Sequence, residues 1–416
     1  MRSYDKNEAQ STEEFGKSLD EIAREGALKM LKDALEAEVE DFLGRGRYQR
    51  SEDYSGYRNG FGKKRKVVVG SGTLELQAPR VRDALVPFES DVLHKYQRQS
   101  DEVKSLIPEL YLHGLATGDF ELAMRGLLGD GASLSAASVS RLKEKWEDEY
   151  NSWRRRDLSS HKYVYMWCDG IYPKAGLSDD KLALLVVLGV NKNGIKEPLA
   201  IFEGYRESKE SWGNVLHDLK ERGLTDPKLF IGDGALGLWA AIGEVYPHAD
   251  WQRCWCHKMR NVISYFPKRL KAEAAFYLKE MYNAATEEKA ISLINDFAGR
   301  YAREYPLAVE CLKKDQDVLL TFFCYPREHW ASIKTTNPIE SVFSSVRLRT
   351  NAARRIKSPR SALFLIFQII LRAQKRWRSI NAPEMIQKVI DGVKFKDGVE
   401  VKEVKQRKTK REMVAA

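Results

Sequence analysis

From Lys162 to His257 the chain alternates short apolar runs with helix-length segments in a fixed order, and that order leaves few folds open. KYVYMWCDG, LALLVVLGV and PLAIFEGY are runs of strand length, rich in β-branched and aromatic residues. The second and third are joined by Asn191-Lys192-Asn193-Gly194, whose Asn-Gly pair signals a tight hairpin. A helix is expected over 210–222, then an apolar strand over 229–231 that delivers Asp233 at its end. A helix-length apolar segment follows, and after it a basic, aromatic strand carrying Arg253, Cys254 and His257. Asp169 closes the first strand as Asp233 closes the fourth. Asp233-Gly234 also suits an ordinary turn, so spacing alone leaves its role open.

Three strands, helix, strand, helix, strand is the order of a ribonuclease-H-like α/β fold. In that fold the first and fourth strands lie side by side and parallel, so both carboxylates emerge at one edge. Asp179 and Asp180 compete with Asp169, but they fall in a polar turn. Cys168 reads as a packing residue, since nothing nearby would activate its thiol.

The stretch LFIGDGALGLWAAIGEVYPHADWQRCWCHKM carries Asp233, Gly237-Leu238, Tyr246-Pro247, Gln252, Cys254 and His257 in order. That series resembles the signature of the Mutator-type transposases, shared by bacterial insertion sequences and plant Mutator elements. Further on, TTNPIESVFSSVRLRT resembles the third-carboxylate segment of the same family. From spacing alone Asn337 followed by Glu340 reads as a capping box, with Pro338 at the first helical position, which would make Glu340 structural. The resemblance instead implies a catalytic triad of the DDE class, Asp169, Asp233 and Glu340, binding Mg²⁺, with Mn²⁺ able to substitute and no organic cofactor. Cleavage and joining of phosphodiesters need two such ions about 4 Å apart, and hard cations of this kind take carboxylate ligands. For Cys254 and His257 the resemblance implies support of the active site. Cys254, Cys256 and His257 could also be zinc ligands, but no second CxxC completes a set.

The rest of the chain reads as DNA-binding apparatus. At 416 residues it is long enough for several domains, and its net charge of +10 points to a polyanionic partner. Residues 1–43 hold an amphipathic helix that serves either dimerisation or the protein's own core. Residues 44–100 form a small basic β module in which aromatic residues interleave with Lys63, Lys64 and Arg65, suiting phosphate contact and base stacking; a solvated basic loop is the other reading. Residues 101–158 form a helix-turn-helix, its turn at Gly114-Leu115-Ala116-Thr117, with Ser135, Ser138 and Arg141 at the start of a recognition helix. The catalytic core is expected over 159–264 and 329–378, interrupted by an all-α insertion over 265–328. A basic tail runs from 379 to 416. Between Ser341 and Pro383 lie ten Arg or Lys residues and no acid, among them Arg347, Arg349, Arg354, Arg355 and Lys357. A helix of one charge sign repels itself, and phosphates would relieve the repulsion.

The five cysteines are an odd number scattered along the chain, unlike a disulfide framework. With no apolar run of membrane length and no leader-like start, a cytoplasmic, DNA-associated bacterial protein without membrane contact is expected. The reading is therefore an insertion-sequence transposase that binds terminal inverted repeats and target DNA as a homodimer or larger assembly. A related nuclease that cleaves without strand transfer, or an inactive DNA-binding descendant of a transposase, are the alternatives.

Overall fold

A computed structural model describes residues 17–49, 55–113, 115, 119–129, 136–173, 183–204, 206–352 and 359–401, with the side chains of 136–139 and 351–352 excepted. Ser135, Arg354, Arg355, Lys357, Asp179, Asp180 and all but Leu115 of the expected Gly114–Thr117 turn lie outside the described residues, as does the tail from 402. The chain divides into two compact units, Met1–Glu144 and Lys145–Ala416.

In the first unit, α1 (Leu19–Leu43) starts on a full capping box between Ser18 and Glu21 and stops at Gly44, whose left-handed backbone glycine tolerates best. Four strands follow: β1 (Tyr57–Phe61), β2 (Arg65–Val69), β3 (Gly72–Leu76) and β4 (Pro79–Arg82). They form two antiparallel pairs, β1 with β4 and β2 with β3. Leu35 of α1 packs with Val67, Leu74, Leu76 and Leu93, so this half of the helix serves the protein's own core. At its start Leu19 and Ile22 stay exposed. Helices α2 (Asp101–Leu112), α3 (Phe120–Leu128) and α4 (Ala136–Arg154) come next, and the boundary between the units falls within α4. Val103, Ile107, Phe120, Met124 and Leu128 bury the apolar faces of α2 and α3 together.

The second unit is built on a five-stranded mixed sheet. Its elements run β5 (Tyr163–Ile171), β6 (Ala183–Asn191), β7 (Lys196–Gly204), α5 (Lys209–Glu221), β8 (Leu229–Gly232), α6 (Leu236–Val245) and β9 (Asp250–Arg253). The strands lie in the order β7-β6-β5-β8-β9. β5, β6 and β7 are antiparallel neighbours, with the expected hairpin at Asn191–Gly194, while β8 and β9 join parallel to β5. β5 and β6 are buried along almost their whole length, which is why both read as continuous apolar runs.

α5 and α6 cover one face through Trp212, Leu216, Leu238 and Ile242, packed on Met166, Cys168, Leu185 and Phe230. A helical stretch follows: α7 (Trp255–Ser264), α8 (Lys271–Tyr282), α9 (Glu287–Tyr301), α10 (Pro306–Lys314), α11 (Gln316–Leu320) and α12 (Trp330–Ile333). Then come α13 (Asn337–Ala352), α14 (Pro359–Gln374), α15 (Met385–Ile390) and a small hairpin, β10 (Phe395–Lys396) with β11 (Val399–Glu400). No helix among the described residues is long and apolar enough to cross a membrane.

Candidate active site

Strand register alone brings two acids level. β5 and β8 pair as Tyr165 with Leu229, Met166 with Phe230 and Trp167 with Ile231. Carrying that register two residues on sets Asp169 opposite Asp233. Alternation along the strand then fixes the face. Met166 and Cys168 turn into the α5–α6 core. Tyr165 and Trp167 turn the other way, the Tyr165 hydroxyl 2.7 Å from His329 Nδ1 and Trp167 Nε1 donating to the Ser332 carbonyl at 3.1 Å. Asp169 shares that second face, where α12 and the start of α13 pack. One expectation is corrected: Asp169 does not close β5, which runs on to Ile171 against β6, with Asp169 opposite Val186. What stops at Trp167 is the pairing with β8.

The pair is short of countercharge. Asp169 is 9% exposed, and burial, followed by the nearby Asp233 charge, pushes its carboxyl up to about 7. Among the described residues no Lys or Arg forms an ion pair with either acid. Asp233 Oδ1 accepts from the Ala235 amide at 2.9 Å, so the turn and the strand-end acid are one feature serving both readings. Gly234 completes it: its φ of +91° suits glycine, and the Arg253 guanidinium fills the space a Cβ would take.

Cys254 and His257 sit differently from the expected strand. β9 ends at Arg253, Cys254 takes the cap position of α7, and His257 lies in the first turn. The ladder is redirected here. Cys254 N still donates to the Gly232 carbonyl at 2.8 Å, but Trp255 N donates to Lys334 at 3.0 Å, across the helical stretch. The Trp255 side chain is fully buried, its Nε1 donating to the Leu319 carbonyl at 2.9 Å and its ring edge-on to Tyr282.

Glu340 stands on the first turn of α13. Thr336, not Asn337, occupies the cap position, since its carbonyl accepts from Glu340 N at 2.9 Å. Thr335, Thr336 and Asn337 can all cap, so sequence could not choose among them. The Glu340 carboxylate makes no capping box with Asn337. It accepts from Arg260 at 3.2 Å and lies 3.4 Å from His257 Nδ1. Thr336 Oγ1 lies 3.0 Å from Glu340 Oε1, 3.4 Å from His257 Nδ1 and 3.2 Å from Cys254 Sγ. Cys254, His257 and Glu340 offer one ligand atom each within 4.8 Å of one another, a group able to hold a metal ion. Hydrogen bonds from Cys256, then His257 and Thr336, pull the Cys254 thiol well below its usual pKa despite burial. The same contact with Cys254 leads the causes that raise His257.

Arg347 is exposed and Arg349 half-buried on α13, beyond Glu340. In the first unit Lys63 and Lys64 are exposed between β1 and β2, and Arg141 is exposed on α4. Ser138 lies on α4, with its side chain outside the described residues. Arg65 donates to the Leu93 and His94 carbonyls at 3.2 and 3.0 Å, a structural task for that guanidinium. Sequence reasoning missed Glu207, whose charge reaches Asp169, as well as Thr336 and Arg260. Thr336 could have been found in the run of capping residues. Glu207, within GYRESKES, carries no periodic signal.

Two more of the signature residues have a task in this frame. A Cβ on Gly237 would come within 2.7 Å of the Glu207–Lys209 backbone, so only glycine lets α6 approach it. The buried Gln252 side chain donates to the Leu319 carbonyl at 3.0 Å and accepts from Phe322 N at 2.8 Å, tying β9 to the helical stretch.

Comparison with known proteins agrees with these features. The family model described as "Transposase, Mutator family" matches residues 2–379. The chain is 46% identical over 296 residues to the transposase for insertion sequence element IS6120 of Mycolicibacterium smegmatis, covering 71% of this chain and 92% of that one. It is 43% identical over 286 residues to the transposase for insertion sequence element IST2 of Acidithiobacillus ferrooxidans, covering 67% and 94%. Among solved structures it is similar to the Drosophila P element transposase strand transfer complex, at a TM-score of 0.31 and 11% identity over 70% of this chain and 85% of that one, too slight a likeness to bear on the fold.

Proposed function

Because this chain belongs to the Mutator family of transposases, we propose that it is the DDE-class enzyme of an insertion sequence, cleaving the element's ends and joining them to target DNA. The observation that carries this reading is that the β5–β8 register brings Asp169, in β5, level with Asp233, the residue after β8, in a strand against which α13 packs. The strand order β7-β6-β5-β8-β9, antiparallel then parallel, supports a ribonuclease-H-like core. Two carboxylates without a basic partner are a hard-oxygen donor set, and their chemistry fits Mg²⁺ or Mn²⁺ rather than a softer ion.

Asp169 and Asp233 would hold the divalent cations, with Glu340 as third carboxylate. Cations bound there supply charge stabilisation at the attacking and leaving oxygens of the phosphodiester. The chain's residues do the rest. His257 and Thr336 orient Glu340, and Cys254 holds Thr336 in place through its amide at 3.3 Å. Burial of Asp169 keeps bulk water from screening the site. Arg347 stands about two helical turns beyond Glu340 and would grip a flanking phosphate, with Arg349 beside it and Arg354, Arg355 and Lys357 further along the chain. No covalent enzyme intermediate is needed, because water and then the freed 3′-hydroxyl are the nucleophiles.

Terminal inverted repeats would be bound by the helices α2–α4, through Ser138 and Arg141 with Ser135 preceding them in the chain, and by the basic strand module through Lys63 and Lys64 beside Arg65. Pairing two element ends requires at least a dimer, acting in the bacterial cytoplasm. The test is a labelled duplex of the terminal DNA incubated with Mg²⁺ and the protein. Nicking at the element boundary with a joined product is expected. Cutting without joining would favour a plain nuclease, and binding without cutting an inactive DNA-binding protein.

A further inference from the structure

We propose that Cys254, His257 and Glu340 bind one thiophilic divalent cation of the zinc class, at a place chemically separate from the Asp169–Asp233 pair. The local spacing of Cys254, Cys256 and His257 lacks a partner, and α13 supplies one in Glu340. Each of the three residues offers a ligand atom, and these atoms lie within 4.8 Å of one another.

Distance gives the first reason. Zinc holds nitrogen and oxygen at about 2.0–2.2 Å and sulfur at about 2.3 Å, so the donors of one tetrahedral ion stand about 3.4–3.6 Å apart. His257 Nδ1 and Glu340 Oε1 are 3.4 Å apart. Thr336 Oγ1 lies 3.2 Å from Cys254 Sγ, 3.4 Å from His257 Nδ1 and 3.0 Å from Glu340 Oε1, which gathers the three donors around one point. The backbone builds this arrangement by itself. His257 follows Cys254 by three residues at the start of α7, and Glu340 follows Thr336 by four at the start of α13, so each pair shares a helix face. The Trp255 amide donates to the Lys334 carbonyl at 3.0 Å and the Thr336 amide to Cys254 Sγ at 3.3 Å. Those two bonds clamp one helix start against the other.

Chemistry then selects the ion. The buried Cys254 sulfur receives both the amide and the hydroxyl of Thr336, as a sulfur ligand does from its outer partners. One thiolate and one carboxylate neutralise a divalent charge, and a neutral imidazole completes the set. A sulfur ligand favours zinc and its neighbours over Mg²⁺, which takes oxygen. His257 and Glu340 are half-buried, so an ion can enter from solvent. The site stands apart from the catalytic reading above, but one consequence rests on that reading. An ion that takes Glu340 withholds it from Mg²⁺, so zinc should arrest nicking.

The test is titration of Co²⁺, a spectroscopic stand-in for zinc, into the metal-free full chain. A sulfur-to-cobalt charge-transfer band is expected, with the strong visible bands of a tetrahedral ion. Both should persist in excess Mg²⁺ and disappear when Zn²⁺ displaces the cobalt. Cys254→Ser should abolish the charge-transfer band, and Glu340→Gln should weaken Co²⁺ binding about tenfold or more. Melting without metal shows whether each variant is folded, and Glu340→Gln decides alone if Cys254→Ser is not. The proposal is overturned if the parent gives no charge-transfer band, or if the folded variants bind Co²⁺ like the parent, which would assign the band to other cysteines. Zn²⁺ is then added to the Mg²⁺-dependent nicking assay. Nicking that Zn²⁺ leaves untouched, with the cobalt spectrum as expected, keeps the site and removes Glu340 from the catalytic set.

Discussion

The sheet and the helix hold their acids in opposite ways. Asp169 lies within a strand hydrogen-bonded to β6, level with Asp233 just past the end of β8, and both lack basic partners among the described residues. Glu340 stands at a helix start and is surrounded by partners: Thr336, Arg260 and His257. The sheet fixes position and leaves charge unbalanced, whereas the helix start satisfies charge and depends on side chains for position. Rigid backbone suits groups that must stay a set distance apart. A side-chain cluster suits a group that arrives from far along the chain.

Substitutions should divide along this line. Asp233→Asn is expected to abolish Mg²⁺-dependent nicking, by at least about 10³-fold, while the metal-free melting temperature holds or rises because a repulsion has gone. A fall in both would return Asp233 to its turn. Glu340→Ala should cost about 10²–10³-fold in nicking and joining and also lower the melting temperature, since Thr336, Arg260 and His257 lose their partner. Cleavage that survives it would make Glu340 a structural acid of the helix start. His257→Ala should cost about 10–100-fold, as removal of an orienting neighbour does, with metal affinity falling and DNA binding unchanged.

The smallest effect is a pH trend. The Asp169 carboxyl sits at about 7 when folded against 3.8 as an ordinary side chain. Between those values the folded protein keeps a proton that the unfolded chain has released, so the metal-free protein loses stability as pH rises through that window. Melting curves from about pH 4 to 8 should show the decline, and Asp169→Asn should flatten it. A decline that persists in the variant would assign the trend to other groups.

Much of the sheet was legible because β5, β6 and β8 are buried and read as unbroken apolar runs, with an Asn-Gly turn after β6 and Asp233 after β8. Asp169 and Asp233 followed from that order. The start of α7 was not legible. Whether WQRCWCHKM continues as strand or turns into helix depends on Lys334, which takes the Trp255 amide from a distant segment. Glu207 was hidden for a related reason. Nothing in GYRESKES marks an acid as inward-facing, and its position follows from two strand reversals and the glycines at 170 and 237. The cap of α13 failed on ambiguity alone, three adjacent residues being equally able to serve.

The join between Cys254 and Thr336 also bears on how the protein is made. The two residues are 82 positions apart, and their contact closes over α7–α12. Contacts of such long range are slow to form, because the closing chain loses its freedom before the contact rewards it. Asp169 and Asp233 leave the ribosome well before Glu340. A growing chain thus carries two of its three acids in a sheet that can already pair, and acquires the last only when the intervening helices have folded.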